Sequence, residues 1–182
     1  MFDLTSRIAM VTGGANGIGK GIAETLAQAG ATVMIGDINE EAGQKAAEEI
    51  NGEFYHLDVT NKDNAGQVVQ DILKKHKRID ILAANAGIYP DQSIAEMEES
   101  DWDKIQNINL KGMFFTSKPV LEAMKKQNGS EWLGCLSLPG FCRTVSKSWV
   151  RHQHPVKILC WCQASYYSAP SKPSEICVTI GL

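Results

Sequence analysis

The sequence predicts an α/β fold, a doubly wound parallel sheet with helices on both faces. Short apolar runs alternate with longer stretches of helical composition, and the connections between them are brief. The runs are apolar throughout and lack in/out alternation, which is the pattern of strands buried on both faces. Each run closes at its carboxyl end on glycine, Asp or Asn, and open parallel sheets bind their ligands beyond those ends.

Residues 7–12 predict the first strand. A glycine-rich turn follows from Gly13 to Gly19, then a helix from about Gly17 to Ala29, with Gly30 where a glycine just past a helix end belongs. Ala31 to Gly36 is the second strand and ends in Asp37. Glu40 to Ile50 predicts an amphipathic helix stopped by Asn51-Gly52. Glu53 to Leu57 is the third strand, followed by Asp58-Val59. Thr60 is the expected N-cap of a helix over Asn61 to His76, in which Val68, Val69, Ile72 and Leu73 recur at helical spacing. Ile79 to Ala84 is the fourth strand, closed by Asn85-Ala86-Gly87. After a loop containing Pro90, Ser100 is expected to cap a helical stretch through Ile108, and a second helix runs from about Leu110 to Gln127.

At 182 residues the chain is long enough for one domain with its own core. A net charge of −3 and a pI near 5.8 give no reason to expect nucleic acid or an acidic membrane surface as partner. No apolar run approaches the roughly 20 residues of a membrane span. The first residues, Met1 to Arg7, lack a basic segment followed by an apolar one, so a cytoplasmic protein is expected. The totals conceal an asymmetry. Residues 1–128 carry 13 Lys and Arg against 19 Asp and Glu, whereas residues 129–182 carry 5 against 2. All five cysteines lie after Gly129. The composition therefore divides the chain into residues 1–129 and an atypical tail, 130–182, with a fifth strand expected near 132–138 and the remainder irregular.

Glycines between a strand and a helix mark a phosphate site. Glycine permits positive φ and close approach of backbone to a ligand, and the N-terminus of the following helix favours an anion such as pyrophosphate. Asp37 stands about 20 residues beyond Gly17, where a carboxylate accepts hydrogen bonds from the ribose of a dinucleotide. Its plainer role is that of a strand-end turn residue. The carboxylate would repel a 2′-phosphate, and no Lys or Arg adjoins it in sequence, so NAD is expected over NADP. Asp58 stands where it either caps a turn or reaches an adenine amino group. Asn85-Ala86-Gly87 is either a plain turn or part of a ligand wall, and Asn109 is either a cap or a helix-bending polar residue.

In order and spacing, Thr12-Gly-x-x-x-Gly17-x-Gly19, Asp37, Asp58-Val59, Asn85-Ala86-Gly87 and Asn109-Leu110-Lys111-Gly112 resemble the short-chain dehydrogenase/reductase family over residues 5 to 128. The resemblance implies a Rossmann-like sheet, truncated relative to the family. It implies that Gly13, Asn16, Gly17, Ile18 and Gly19 hold the pyrophosphate of NAD, Asp37 the adenosine ribose, and Asp58 and Val59 the adenine. Asn85, Ala86 and Gly87 would steady the sheet and line the site, and Asn109 would hold a water in a proton relay. Ala84 stands where the family usually has a first Asn. The implied activity is hydride transfer between the nicotinamide and a secondary alcohol, polyol or ketone, in a protein that is usually a homo-oligomer.

The family's general acid/base is a tyrosine whose pKa a lysine four residues on lowers, with a serine placing the substrate oxygen; an unaided phenol near pKa 10 is a poor base at neutral pH. Ser137, three residues before Gly140, is either the candidate serine or an ordinary strand-end residue. At the family's spacing Val150 and His154 occupy the tyrosine and lysine positions, and Tyr166 and Tyr167 are followed four residues later by Pro170 and Ser171. Cys160-Trp161-Cys162 with His152 and His154 matches no standard zinc spacing, and no metal is expected. A change of reading frame after Gly129 would account for the compositional break. The alternative expectation is therefore a truncated or frameshifted NAD-binding fragment, inactive for want of Tyr-x-x-x-Lys and missing part of the family's subunit interface.

Overall fold

A computed structural model describes residues 3–89, 93, 95–127, 131–137 and 156–162. At its centre β1 (Ile8–Thr12) is buried along its whole length, and its residues divide by side. Ile8 and Met10 pack with Met34, Leu57 and Leu82 against α3 (Lys62–His76) and α5 (Met113–Lys126). Ala9 and Val11 pack with Val33, Ile35 and Ala83 against α1 (Gly17–Gln28) and α2 (Glu40–Glu49). Burial on both faces is why the strand reads as an unbroken apolar run.

β1 pairs with β2 (Thr32–Asp37) on one side and β4 (Ile81–Ala84) on the other. β3 (Glu53–His56), β5 (Glu131–Ser137) and β6 (Val156–Cys162) complete a parallel sheet of order β3-β2-β1-β4-β5-β6. The order reverses between β1 and β4. The turns that leave those two strands therefore flank the crevice where such sheets bind ligands.

Several boundaries differ from the sequence expectation. Asn61, not Thr60, caps α3: its Oδ1 accepts from Asp63 N–H and Asn64 N–H at 3.0 Å each. Thr60 instead directs its hydroxyl to Asp58. Ser100 lies inside α4 (Glu99–Ile105), whose N-cap is Glu98. The two helices expected around Asn109 are one continuous helix in which a π-helical segment, Gln106–Gly112, joins α4 to α5. The described part of residues 130–182 consists of β5 and β6. Val156 to Trp161 is interrupted only by Lys157, and so short a run with no alternation is easily passed over as structureless. Both strands continue the sheet of residues 1–129.

The amino ends of β1 and β4 are joined by a buried carboxylate. Asp80, 1 % exposed, accepts from Ile8 N–H at 2.9 Å, Arg7 Nη1 at 3.1 Å, Arg78 Nε at 2.8 Å, and Arg78 Nη2. Gln127 fastens the end of α5 to the same region. Its Oε1 accepts from Ile79 N–H and its Nε2 donates to the Ile79 carbonyl, each at 2.9 Å. Among the described residues no helix is long and apolar enough to cross a membrane.

Candidate functional site

The turn after β1 takes its shape from glycine. Gly13 and Gly17 have φ of +65° and +54°, the left-handed region where a Cβ is strained. A Cβ on Gly19 would overlap the Gly13 carbonyl oxygen and Asn85 Nδ2, so α1 reaches the turn only without one. A Cβ on Gly17 would meet nothing within 4 Å, so that side of the turn faces open space. Asn16 makes no side-chain cap to α1 and the helix has no acidic residue in its first turn. Its leading N–H groups are thus left for an external anion, the arrangement that suits a pyrophosphate.

Polar side chains tie this turn to the neighbouring strands. Thr12 Oγ1 accepts from Asn85 N–H at 3.1 Å and Ala86 N–H at 3.0 Å. Asn85 Nδ2 donates back to the carbonyls of Thr12 and Gly13 at 3.3 and 3.1 Å. β1 and β4 are thereby stitched together at the switch point. Asp37 reaches across from the end of β2. Its Oδ2 accepts from Ala15 N–H and its Oδ1 from Asn39 N–H, each at 3.0 Å. Among the described residues no Lys or Arg pairs with it.

Asp58 carries the turn role that its position allowed. Its Oδ1 accepts from Thr60 N–H at 2.9 Å and the Thr60 hydroxyl at 2.7 Å, and its N–H donates to Asn64 Oδ1. Val59 beside it is buried. Asn109 sits in the π-helical segment, a feature frequent at functional sites. Its Oδ1 accepts from Ile88 N–H and its Nδ2 donates to the Ile88 carbonyl, both at 2.8 Å. Each amide atom keeps one further hydrogen-bonding position, a second N–H and a second lone pair.

The structure thus gathers Gly13, Gly17, Gly19, Asp37, Asn85 and Ala86 around one turn. Asn16 and the 53 % exposed Ile18 stand at its outer rim, and Gly87 lies against Asn109. Asp58 and Val59 follow β3, two strands away from β1, and Asn109 joins the group through Ile88. Ser137 is the last residue of β5, and its side chain lies outside the described residues. Val150, His154, Tyr166 and Tyr167 also lie outside them. Tyr55 is no substitute base: burial and then the hydrogen bond to Glu53 push its phenol up to about 12. Two open grooves of about 500 and 630 Å³ involve the ends of α3 and α5 and the outer face of the π-helical segment, and no residue of the glycine turn lines either.

Sequence reasoning missed Thr12 as the acceptor for two N–H groups, Ala15 as the donor to Asp37, and Ile88 as the partner of Asn109. Thr12 carried a signal, a hydroxyl at the end of an apolar strand next to the glycines. Ala15 and Ile88 act through main-chain atoms, which leave no mark on residue type.

Fold and site together define an α/β protein with the open-sheet topology of dinucleotide-binding domains. The chain belongs to the short chain dehydrogenase family, whose model matches residues 7–145. That match runs past the compositional break at Asn128-Gly129 and past Ser137. The chain is 41% identical over 133 residues to the 3-oxoacyl-[acyl-carrier-protein] reductase FabG of Thermotoga maritima, covering 70% of this chain and 54% of that protein. It is 36% identical over 151 residues to a cyclopentanol dehydrogenase of Comamonas testosteroni (77% and 60%). With the NAD-dependent glycerol dehydrogenase of Listeria innocua it shares 37% over 133 residues (71% and 52%). A short-chain type dehydrogenase/reductase from Mycobacterium marinum superposes with a TM-score of 0.70 at 31% identity, over 74% of this chain and 57% of that one. The chain spans about half the length of the curated relatives it matches.

Proposed function

We propose that the chain is an NAD(H)-dependent oxidoreductase of the short-chain dehydrogenase type, acting on a secondary alcohol, polyol or ketone in the cytoplasm, of a family whose members are usually homo-oligomers. NAD, when bound, supplies or accepts a hydride at its nicotinamide. The observation that carries the reading is Asp37. Its carboxylate stands at the mouth of the glycine turn, unpaired with any Lys or Arg among the described residues, where it favours two ribose hydroxyls and repels a 2′-phosphate. The turn formed by Gly13, Gly17 and Gly19 would receive the pyrophosphate, and Asp58 and Val59 the adenine. Asn109 would hold a water with the positions its Ile88 bonds leave, and Ser137 would orient the substrate oxygen.

Replacing Asp37 by Ala removes charge-assisted hydrogen bonds worth about 1.5–3 kcal/mol, so NADH affinity falls about ten- to hundredfold. Preference for NADH over NADPH should shrink with it. A fluorescence titration of both dinucleotides reads this directly, and unchanged affinities would remove Asp37 from the site.

A second reading rests on the sequence. Within these 182 residues no tyrosine is followed four residues later by lysine, which favours a chain that holds NAD without using it. NADH binding with no turnover of any alcohol or ketone supports that reading, and robust turnover refutes it.

A further inference from the structure

We infer that Gly112 is a positioning residue for the adenine end of the cofactor site, an inference that rests on the NAD reading above. Gly112 closes the π-helical segment and is buried. A Cβ built there would lie 2.7 Å from Val59 Cγ2, 3.0 Å from Val59 Cβ and 3.2 Å from the Val59 carbonyl oxygen. Nothing at that contact is a flexible side-chain end: Val59 is β-branched, with a stiff χ1, and two of the three atoms sit on or beside its backbone. The helix therefore seats itself directly on the residue that follows Asp58.

Both sides of the contact are held. Thr116 Oγ1 donates to the Gly112 carbonyl at 3.1 Å, and three residues earlier Asn109 is held by both of its bonds to Ile88. α4 and α5 continue the helix on either side. Asp58 and Val59 lie in the connection between β3 and α3, where Asp58 is bonded to Thr60 and Asn64 and Val59 is buried. A methyl group at Gly112 pushes the Asp58-Val59 connection and the helix apart, at a contact that includes no atom of the glycine turn. Gly112 thus sets how far the adenine wall stands from the rest of the site, although it touches no cofactor atom itself.

The test uses the full chain and two reduced ligands, NADH and reduced nicotinamide mononucleotide, which lacks the adenosine half. Gly112→Ala should weaken NADH about tenfold, the scale of an overpacked contact, and leave the mononucleotide unchanged. Equal losses for both ligands, or NADH affinity within about twofold of wild type, would each overturn the inference. A Gly112→Ala chain that fails to fold also overturns the inference, which requires only a local displacement. A wild-type chain that binds no NADH contradicts the NAD reading instead.

Discussion

Gly19→Ala should abolish NADH binding and lower the melting temperature of the chain. The added methyl has nowhere to go, because it would overlap the Gly13 carbonyl and Asn85 Nδ2, two atoms already hydrogen-bonded to each other at 3.1 Å. Relief requires α1 to retreat from the turn, which withdraws its N–H groups, or Asn85 to release it, which breaks the stitch between β1 and β4. Overpacking of this kind costs about 3 kcal/mol, which for a domain of this size lowers the melting temperature by about 10 °C. The loss of binding follows from geometry, since the N–H groups of α1 no longer point into the turn. Thermal unfolding and an NADH titration check both parts. A variant with wild-type affinity would show that the close approach of α1 is dispensable.

Asp80→Ala should cost about 2 kcal/mol of stability, chiefly through the buried Ile8 N–H left without an acceptor. Arg7 and Arg78 are partly exposed and recover water, so the loss stays below that of a fully buried ion pair. The same carboxylate carries a pH dependence. Burial alone would push it up, but hydrogen bonds from Arg78, Ile8 N–H and Arg7, with the Arg78 charge, outweigh burial and hold it below its ordinary value of 3.8. A carboxyl lowered on folding stabilises the fold above its unfolded pKa, and that contribution is lost as pH falls through the folded value. Wild type should therefore lose stability faster than Asp80→Ala as the medium is acidified below about pH 4. Parallel pH profiles in urea unfolding would contradict this role.

The parallel sheet was legible because burial on both faces leaves an unmistakable mark, an apolar run such as Ile8-Ala9-Met10-Val11. The glycine turn and Asp37 were legible because their chemistry restricts residue type. The rest depends on main-chain atoms and on pairs distant in sequence. Ile88 could not be paired with Asn109 from residue type alone, and the contact of Gly112 with Val59 exists only once the π-helical segment lies against the connection after β3. The π-helical segment was hidden for a related reason: a polar residue amid helical composition reads equally as a break or a bend. β6 was missed because a run as short as Val156 to Cys162 carries no period to detect.

The central claim is that the turn from Gly13 to Gly19 together with Asp37 holds NAD. Titration of the purified chain with NADH and, separately, NADPH, followed by nicotinamide fluorescence, tests it most directly. Saturable NADH binding with NADPH at least about tenfold weaker is the expected result. No binding of either, or a preference for NADPH, would contradict it.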